Sequence, residues 1–233
     1  MVGENRTGAI RAVCGRYSLT ARLDQLLPRL QGELPLGLQN YYAPRPLIAP
    51  GEPVLGLRQE HGQLQPALML WGLLPEWSKD PLAGPRPFNA RAETVAEKAS
   101  FRGAWRHRRC LLPADAFYEK GHRIQRLDGE LFWLAGIWDR WIGPDGSEVE
   151  SCCVLTTAPN ALVAPLHNRM PVILPEGLEQ AWLEAKDGPG LRTLEPLLQG
   201  WDPGDWQAEA PAPKRPRPAK TSEQLPLFPP CPQ

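Results

Sequence analysis

Short apolar runs separated by turn-forming residues recur along most of the chain and predict a protein built mainly of β-strands. Runs of this length, rich in branched and aromatic residues, are typical of strands. They occupy residues 54–57, 67–71, 109–112, 131–138, 152–157 and 172–174. Because no helical pattern alternates regularly with these runs, a parallel doubly wound sheet is not expected.

Helical spacing of apolar residues is limited to two segments. The first starts at Thr20, a suitable N-cap, and continues through Leu23, Leu26, Leu27 and Leu30. Pro28 should shorten or kink this helix, because proline lacks the amide proton that a helix needs. The second predicted helix spans residues 178–185.

Length and composition divide the chain into three parts. The 233 residues, of which 42% are hydrophobic, suffice for one core. We assign residues 14–202 to a single domain and residues 1–13 to an N-terminal extension. Residues 203–233 contain nine prolines together with Lys214, Arg215, Arg217 and Lys220, a composition typical of a disordered tail.

Charge and cysteine content narrow the classes of protein. Lys and Arg together number 26, as do Asp and Glu, so contact with nucleic acid would require a locally basic surface. The five cysteines show no Cys-x-x-Cys spacing, which argues against a zinc ribbon or a disulfide scaffold, and we expect no metal and no cofactor. No apolar run has the length of a secretory signal or a membrane span, so we expect a cytoplasmic protein without membrane contact.

Reactive side chains concentrate in four short segments beside glycine, proline or aromatic residues, as is common in loops that present a functional site. These segments are 14–17, 88–94, 117–119 and 167–174. Taken singly, each reactive residue also fits a structural role. These roles are a packed thiol for Cys14, a turn cap for Asn89, an arginine partner for Glu119 and a hydrogen-bonded structural imidazole for His167.

Two further motifs accompany these segments in a definite order. They are Trp71-Gly72-Leu73-Leu74-Pro75-x-Trp77 and Arg109-Cys110-Leu111-Leu112-Pro113-Ala114-Asp115-Ala116-Phe117-Tyr118-Glu119. From Val13 to Leu174, the combined pattern resembles the SOS response-associated peptidase (SRAP) family. The resemblance implies an α+β fold of curved antiparallel sheets approaching a β-barrel, with few helices and a basic groove for single-stranded DNA.

The resemblance also implies an activity. The family captures abasic sites in single-stranded DNA through an N-terminal cysteine, whose amine and thiol form a thiazolidine with the aldehyde of the opened sugar. An α-amine suits this attack, because its ordinary pKa of about 7.7–8.0 lies well below that of lysine. The implied roles are nucleophile for Cys14, positioning for Asn89, acid/base for Glu119 and protonation of the sugar oxygen for His167.

Contacts with DNA are implied for four other residues. The planar guanidinium groups of Arg16, Arg91 and Arg169 would bind phosphates. Trp77 would stack on or wedge beside a base, although packing in the core is an equally good interpretation. The basic run 101–109 could either line a DNA groove or form a solvated face.

The chain departs from the family pattern around Cys14. An internal cysteine has no free α-amine, so Cys14 must become the N-terminal residue before it can form a thiazolidine. Val13 could be the true start, since a GTG codon is read as methionine at initiation and that methionine would then be removed. Alternatively, the protein cleaves itself after Val13. Ala116 and Lys120 also differ, standing where the family often has glycine and tryptophan.

The tail carries a separate motif. Gln224, Leu225, Leu227 and Phe228 resemble the peptide with which bacterial replication and repair proteins bind the sliding clamp, and a chance match in a Pro/Leu-rich tail is the alternative. Two other functions stay open for the chain. One is a cysteine peptidase that acts on other proteins through Cys14 and His167, and the other is a non-covalent module for binding single-stranded DNA. We expect a monomer.

Overall fold

Two β-sheets and several short helices form the fold, which a computed structural model describes for residues 14–30, 34–80, 84, 86–186 and 188–211. The strands are β1 (Tyr17–Leu19), β2 (Arg45–Ile48), β3 (Pro53–Glu60), β4 (Gln63–Trp71), β5 (Asn89–Arg91), β6 (Arg109–Ala114), β7 (Ala116–Glu119), β8 (His122–Arg126), β9 (Phe132–Ile142), β10 (Glu148–Thr157), β11 (Met170–Pro171), β12 (Ile173–Leu174) and β13 (Trp206–Glu209). The helices are α1 (Leu23–Leu26), α2 (Leu36–Tyr41), α3 (Arg102–His107), α4 (Glu179–Glu184) and α5 (Pro189–Arg192).

Five strands of the larger sheet close into a barrel. β3 is antiparallel to β4 and β6, and β9 is antiparallel to β6 and β10. β10 completes the ring by running parallel to β4, where Ser151 pairs with Leu70. β5 adds to β10 in parallel, while β11 and β12 pair antiparallel to β10 and β9.

The smaller sheet has the order β13-β8-β7-β1-β2 and is antiparallel throughout. Asp115 links it to the barrel, because this residue joins β6 to β7. Its carboxylate accepts hydrogen bonds from Ser18 Oγ at 2.5 Å and Thr20 Oγ1 at 2.7 Å. These bonds hold β1 beside β7 and thereby set the position of the chain that precedes Tyr17.

Strand β6 is covered on both faces, by the apolar interior of the barrel on one side and by helices on the other. All six residues of β6 are buried, as expected for a strand that is covered on both faces. On the outside, α3 and α4 contact β6. The guanidinium of Arg109 fastens these helices by donating to Trp105 O and Trp182 O, each at 2.7 Å.

Most predicted elements are confirmed, with three differences. Of the run 172–174, only Ile173–Leu174 forms a strand. The first predicted helix is reduced to α1, because Thr20 binds Asp115 instead of capping the helix and Pro28 follows closely. The larger sheet is mixed and not purely antiparallel, since β10 runs parallel to β4 and β5.

The C-terminal boundary of the domain also needs correction. The composition predicted a tail from residue 203, but β13 lies beyond that point and pairs with β8. The Trp206 ring packs against Phe132 and Trp201, with centroid distances of 4.8 and 4.2 Å. These aromatic contacts stabilise the segment despite its prolines, so the fold extends to at least residue 209.

Candidate active site

Strand pairing brings Cys14 against Glu119, although the two residues are 105 positions apart in sequence. Tyr17 of β1 pairs with Phe117 of β7, so the chain before β1 meets the end of β7. There the backbone N–H of Cys14 donates to Glu119 Oε1 at 2.8 Å. The atom that would be the α-amine of an N-terminal cysteine is therefore in hydrogen-bond contact with a carboxylate.

The backbone at this contact adopts conformations that side chains rarely allow. Cys14 has a φ of 44° and Lys120 a φ of 46°, both in the left-handed region. Such strain persists where surrounding contacts enforce it and is common at functional sites. In this case it turns Cys14 and Glu119 toward each other at the ends of their strands.

Burial shifts the protonation of both groups. It raises the pKa of the Cys14 thiol well above its ordinary value, and the neighbouring Glu119 carboxylate raises it further. Burial also raises the pKa of Glu119, while its hydrogen bonds with Cys14 and the charge of His167 act in the opposite direction. The thiol is consequently protonated near neutral pH, and Glu119 accepts a proton more readily than an exposed carboxylate does.

The loop between β10 and β11 brings His167 to the same place. Its Nδ1 accepts a hydrogen bond from the backbone N–H of Arg169 at 3.1 Å, an arrangement that leaves the proton of a neutral imidazole on Nε2. The carbonyl oxygen of Arg169 lies 3.2 Å from this Nδ1 and 3.8 Å from Cys14 Sγ. One peptide unit thus contacts both the imidazole and the thiol.

A side-chain ion pair holds this loop. The Arg169 guanidinium donates to both carboxylate oxygens of Glu93, at 2.6 and 2.8 Å, and also to Thr156 O. The hydrogen bonds from Arg169 lower the pKa of Glu93, which keeps the pair charged. The guanidinium predicted to bind phosphate is therefore already bound by a carboxylate within the protein.

Asn89 and Arg91 lie on the strand that borders this loop. β5 runs parallel to β10, with Asn89 opposite Val154 and Arg91 opposite Thr156. Asn89 is half-buried and the Arg91 side chain is exposed. Thr156 therefore adjoins both the Arg91 strand and the Arg169 guanidinium.

An open cleft of about 850 Å³ lies over the Cys14–Glu119 contact. Three of the predicted residues, Arg16, Glu119 and His167, line it. The remaining lining residues were given no role from the sequence, although three of them lie in the predicted segments, and they are Gly15, Leu47, Tyr118, Lys120, Gly121, Leu166 and Asn168. Lys120 and Asn168 could have been predicted from the sequence, because each directly follows a predicted site residue. Leu47 comes from β2 and offered no such signal.

The family assignment follows from comparison with known proteins. The profile of the SOS response associated peptidase (SRAP) family matches residues 13–209. The chain belongs to the SRAP family. Its resemblance to that family, first indicated by the motifs, is confirmed.

Similar proteins cover most of the chain. The abasic site processing protein YoqW of Bacillus subtilis is 36% identical over 208 residues, covering 84% of this chain and 91% of the relative. The abasic site processing protein YedK of Escherichia coli is 30% identical over 186 residues, covering 73% and 79%. A crystal structure of a Bacteroides thetaiotaomicron protein superposes with a TM-score of 0.74 at 26% identity, covering 84% and 90%. The SRAP-like fold expected from sequence is confirmed.

A second hollow in this SRAP domain contains Trp77, whose side chain is 62% exposed and so does not pack in the core. The hollow measures about 530 Å³ and includes Arg102, Arg106 and His107. The basic run 101–109 therefore does not act as one surface. Arg102, Arg106 and His107 line this hollow, whereas Arg109 is buried against backbone carbonyls.

Among the described residues, no group of three or more His, Cys, Asp or Glu side chains could hold a metal ion. In the same part of the chain, no helix has the length and hydrophobicity to cross a bilayer.

Proposed function

We propose that this SRAP protein captures abasic sites in single-stranded DNA covalently, through the amine and thiol of an N-terminal Cys14. The observation that supports this most strongly is the 2.8 Å hydrogen bond from the Cys14 nitrogen to Glu119 Oε1. A general base must lie within hydrogen-bond reach of the proton that it removes. The names of the relatives YoqW and YedK support the same substrate.

In the proposed reaction, Glu119 takes a proton from the Cys14 ammonium, and the free amine attacks the sugar aldehyde to form a carbinolamine. Loss of water gives the imine. The Cys14 thiol then adds to the imine carbon and its proton passes to the nitrogen, closing the thiazolidine. One aldehyde, one amine and one thiol thus yield one ring and one water. His167 would protonate the ring oxygen when the sugar opens.

The raised pKa of the Cys14 thiol favours this order of events over a thiol-first mechanism. A cysteine peptidase needs a thiolate, and its active-site cysteine usually has a lowered pKa. Here burial and Glu119 keep the thiol neutral. The peptidase that acts on other proteins is therefore the less supported alternative.

The proposal requires Cys14 to become the N-terminal residue, because a nitrogen in a peptide bond is not a nucleophile. In self-processing, water would add to the carbonyl carbon of Val13, and Glu119, which contacts the Cys14 nitrogen, would pass a proton to that nitrogen as the peptide bond breaks and Val13 leaves with a carboxyl group. Initiation at Val13 would achieve the same end. Intact-mass measurement of native protein tests both routes, since retention of residues 1–13 on all molecules would contradict them.

We propose that DNA phosphates contact Arg16 and Arg91, whose side chains are exposed. Arg169 would contact phosphate only together with, or in exchange for, its Glu93 partner. Trp77 is exposed beside basic residues, which supports stacking on a base.

Denaturing gel electrophoresis tests the main proposal. Protein beginning at Cys14 is mixed with single-stranded DNA that contains one abasic site, beside Cys14→Ala and a form that keeps residues before Cys14. We expect a heat-stable shifted band only with a free N-terminal Cys14. A salt-reversible complex that survives Cys14→Ala, with no stable band, would instead favour the non-covalent binding module.

The clamp-binding motif at Gln224, Leu225, Leu227 and Phe228 lies outside the described residues. We propose that it binds the hydrophobic groove of the sliding clamp. The double variant Leu227→Ala/Phe228→Ala should lose binding to immobilised clamp, and equal binding would reject the proposal. A Pro229→Ala/Pro230→Ala variant is the control.

A further inference from the structure

The loop of residues 74–78, here called the 74–78 loop, is fastened to the barrel at both of its ends. At its start, the backbone N–H of Leu74 donates to Ser151 Oγ at 2.8 Å. At its end, the indole N–H of Trp141 donates to Ser78 O at 2.7 Å. Ser151 and Trp141 are buried residues of the barrel strands β10 and β9. The two ends of the loop are therefore fixed to the barrel wall.

Asp139 of β9 holds the middle of the 74–78 loop. Its Oδ2 accepts a hydrogen bond at 3.1 Å from the backbone N–H of Glu76, the residue before Trp77. Its Oδ1 lies 2.9 Å from the guanidinium of Arg108, which also donates to the Glu76 carboxylate at 2.9 Å. Because Asp139 is buried, water competes little for its oxygens. One carboxylate therefore fixes the backbone beside Trp77 and orients the arginine that binds the Glu76 side chain.

This framework presents the Trp77 ring to solvent. The Trp77 side chain is 62% exposed, whereas Leu73 and Leu74 shortly before it are buried. Arg102 and Arg106 line the same hollow as the ring. A ring on a mobile loop would have to be ordered when a base stacks on it, and such ordering weakens binding. A loop that is already fixed avoids this cost.

We propose that Asp139 is a positioning residue for DNA binding, which holds the 74–78 loop so that the Trp77 ring is in place before a base stacks on it. This inference rests on the proposed stacking of Trp77 on DNA. Asp139 would act through the loop and not by contact with DNA, because a carboxylate repels phosphates. Removal of its charge alone would strengthen DNA binding, whereas loss of its hold on the loop should weaken it.

A double-mutant cycle tests the inference. The full chain is titrated by anisotropy with a fluorescent single strand of about 15 nucleotides that contains one tetrahydrofuran abasic analogue, which lacks an aldehyde and so reports non-covalent affinity alone. Trp77→Ala should weaken binding by about 5- to 150-fold, the range for loss of one base stack. Asp139→Asn has one acceptor oxygen instead of two. It should weaken binding by about threefold to tenfold, which corresponds to a binding-competent loop populated roughly 10–30% of the time. In the Trp77→Ala background it should have no further effect.

Three further variants complete the experiment. Ser151→Ala and Trp141→Phe each remove one hydrogen bond to an end of the 74–78 loop without a change of charge. Both should weaken binding in the same Trp77-dependent way, and they provide the test if urea unfolding shows that Asp139→Asn does not fold. Asp128→Asn makes the same substitution at an exposed turn before β9, and it should bind like the unaltered protein.

Two outcomes of the cycle would overturn the inference directly. The first is equal affinity of folded Asp139→Asn and the unaltered protein. The second is an equal loss of affinity with and without Trp77, which marks a general structural defect. Unchanged binding by Trp77→Ala would reject the stacking role of Trp77, and the inference with it. If the unaltered protein itself fails to bind the strand, the proposed DNA function is contradicted and not merely the role of Asp139.

Discussion

Cys14 and the barrel cysteines Cys110, Cys152 and Cys153 are all buried, yet their surroundings differ in kind. The barrel cysteines are 0% exposed on strands β6 and β10, and burial raises the pKa of each thiol. Cys14 is 5% exposed, but its nitrogen contacts a carboxylate and its sulfur faces a carbonyl beside His167. Burial therefore does not distinguish the structural cysteines from the cysteine proposed to react, whereas the polar groups around each residue do.

The same contrast holds for the arginines. Arg109 is buried and donates only to backbone carbonyls in the bonds described above, so its contribution is to stability. Arg169 binds Glu93 and carries the peptide unit that touches His167 and Cys14, so its contribution is to the geometry of the site. Four predictions sharpen this comparison, and their expected effects decrease in the order given.

The largest effect is expected from Cys14→Ala compared with Cys152→Ala. Cys14→Ala should abolish the heat-stable crosslink, because it removes the thiol that closes the thiazolidine and leaves an α-amine that can form only a hydrolysable imine. Cys152→Ala should crosslink normally and lose roughly 1 kcal/mol of unfolding free energy, as is usual for a small core truncation. Denaturing gels and urea unfolding measure the two quantities. If Cys152→Ala is fully folded and yet fails to crosslink, Cys152 cannot be a purely structural cysteine.

Glu119→Gln should slow crosslinking by about 10²–10⁴-fold, the usual contribution of a general acid/base. The pH profile provides a second readout. Because the pKa of Glu119 is raised above the ordinary 4.5, the unaltered protein should lose rate as the pH falls through a value above 4.5, where the base becomes protonated. Glu119→Gln should lack this acidic limb. If the crosslinking rate of Glu119→Gln depends on pH in the same way as that of the unaltered protein, a residue other than Glu119 is the base.

Arg109→Met should destabilise the fold by about 3 kcal/mol, because buried carbonyls in α3 and α4 lose a charged donor. Its crosslinking rate per folded molecule should stay the same, since Arg109 lies under the helices that cover β6 and not in the cleft lining. Urea unfolding measures the loss, and Arg192→Met on the surface is the control. A stability change below 0.5 kcal/mol, typical of surface positions, would refute the role of Arg109.

Glu93→Gln should slow crosslinking about tenfold, because a loosened Arg169 loop misplaces His167 and small displacements at a reacting centre are costly. Glu93→Asp keeps the charge and should recover part of the rate, which a purely structural defect would not predict. Glu97→Gln, an exposed neighbour, is the control. Single-turnover crosslinking measures the rate, and equal rates for Glu93→Gln and Glu97→Gln would remove Glu93 from the site.

The strands of the barrel could be predicted from sequence because their apolar runs are local features. Strands such as β1, β2, β7 and β8 escaped prediction, since they are short and carry polar residues such as Ser18 and Arg123. β13 was missed for a related reason, because prolines around Trp206 concealed the aromatic contacts that hold it.

The segments that form the barrel wall and the side chains with the chemistry for capture can be identified without a structure, since apolar periodicity and functional groups are properties of single residues and short runs. The contacts of Cys14 with Glu119, of Glu93 with Arg169 and of Pro211 with Gly121 become visible only in the folded domain. These contacts join residues that are 105, 76 and 90 positions apart in the chain. The pairing of β1 with β7, of β5 and β11 with β10, and of β8 with β13 creates them, and that pairing depends on the packing of the whole domain.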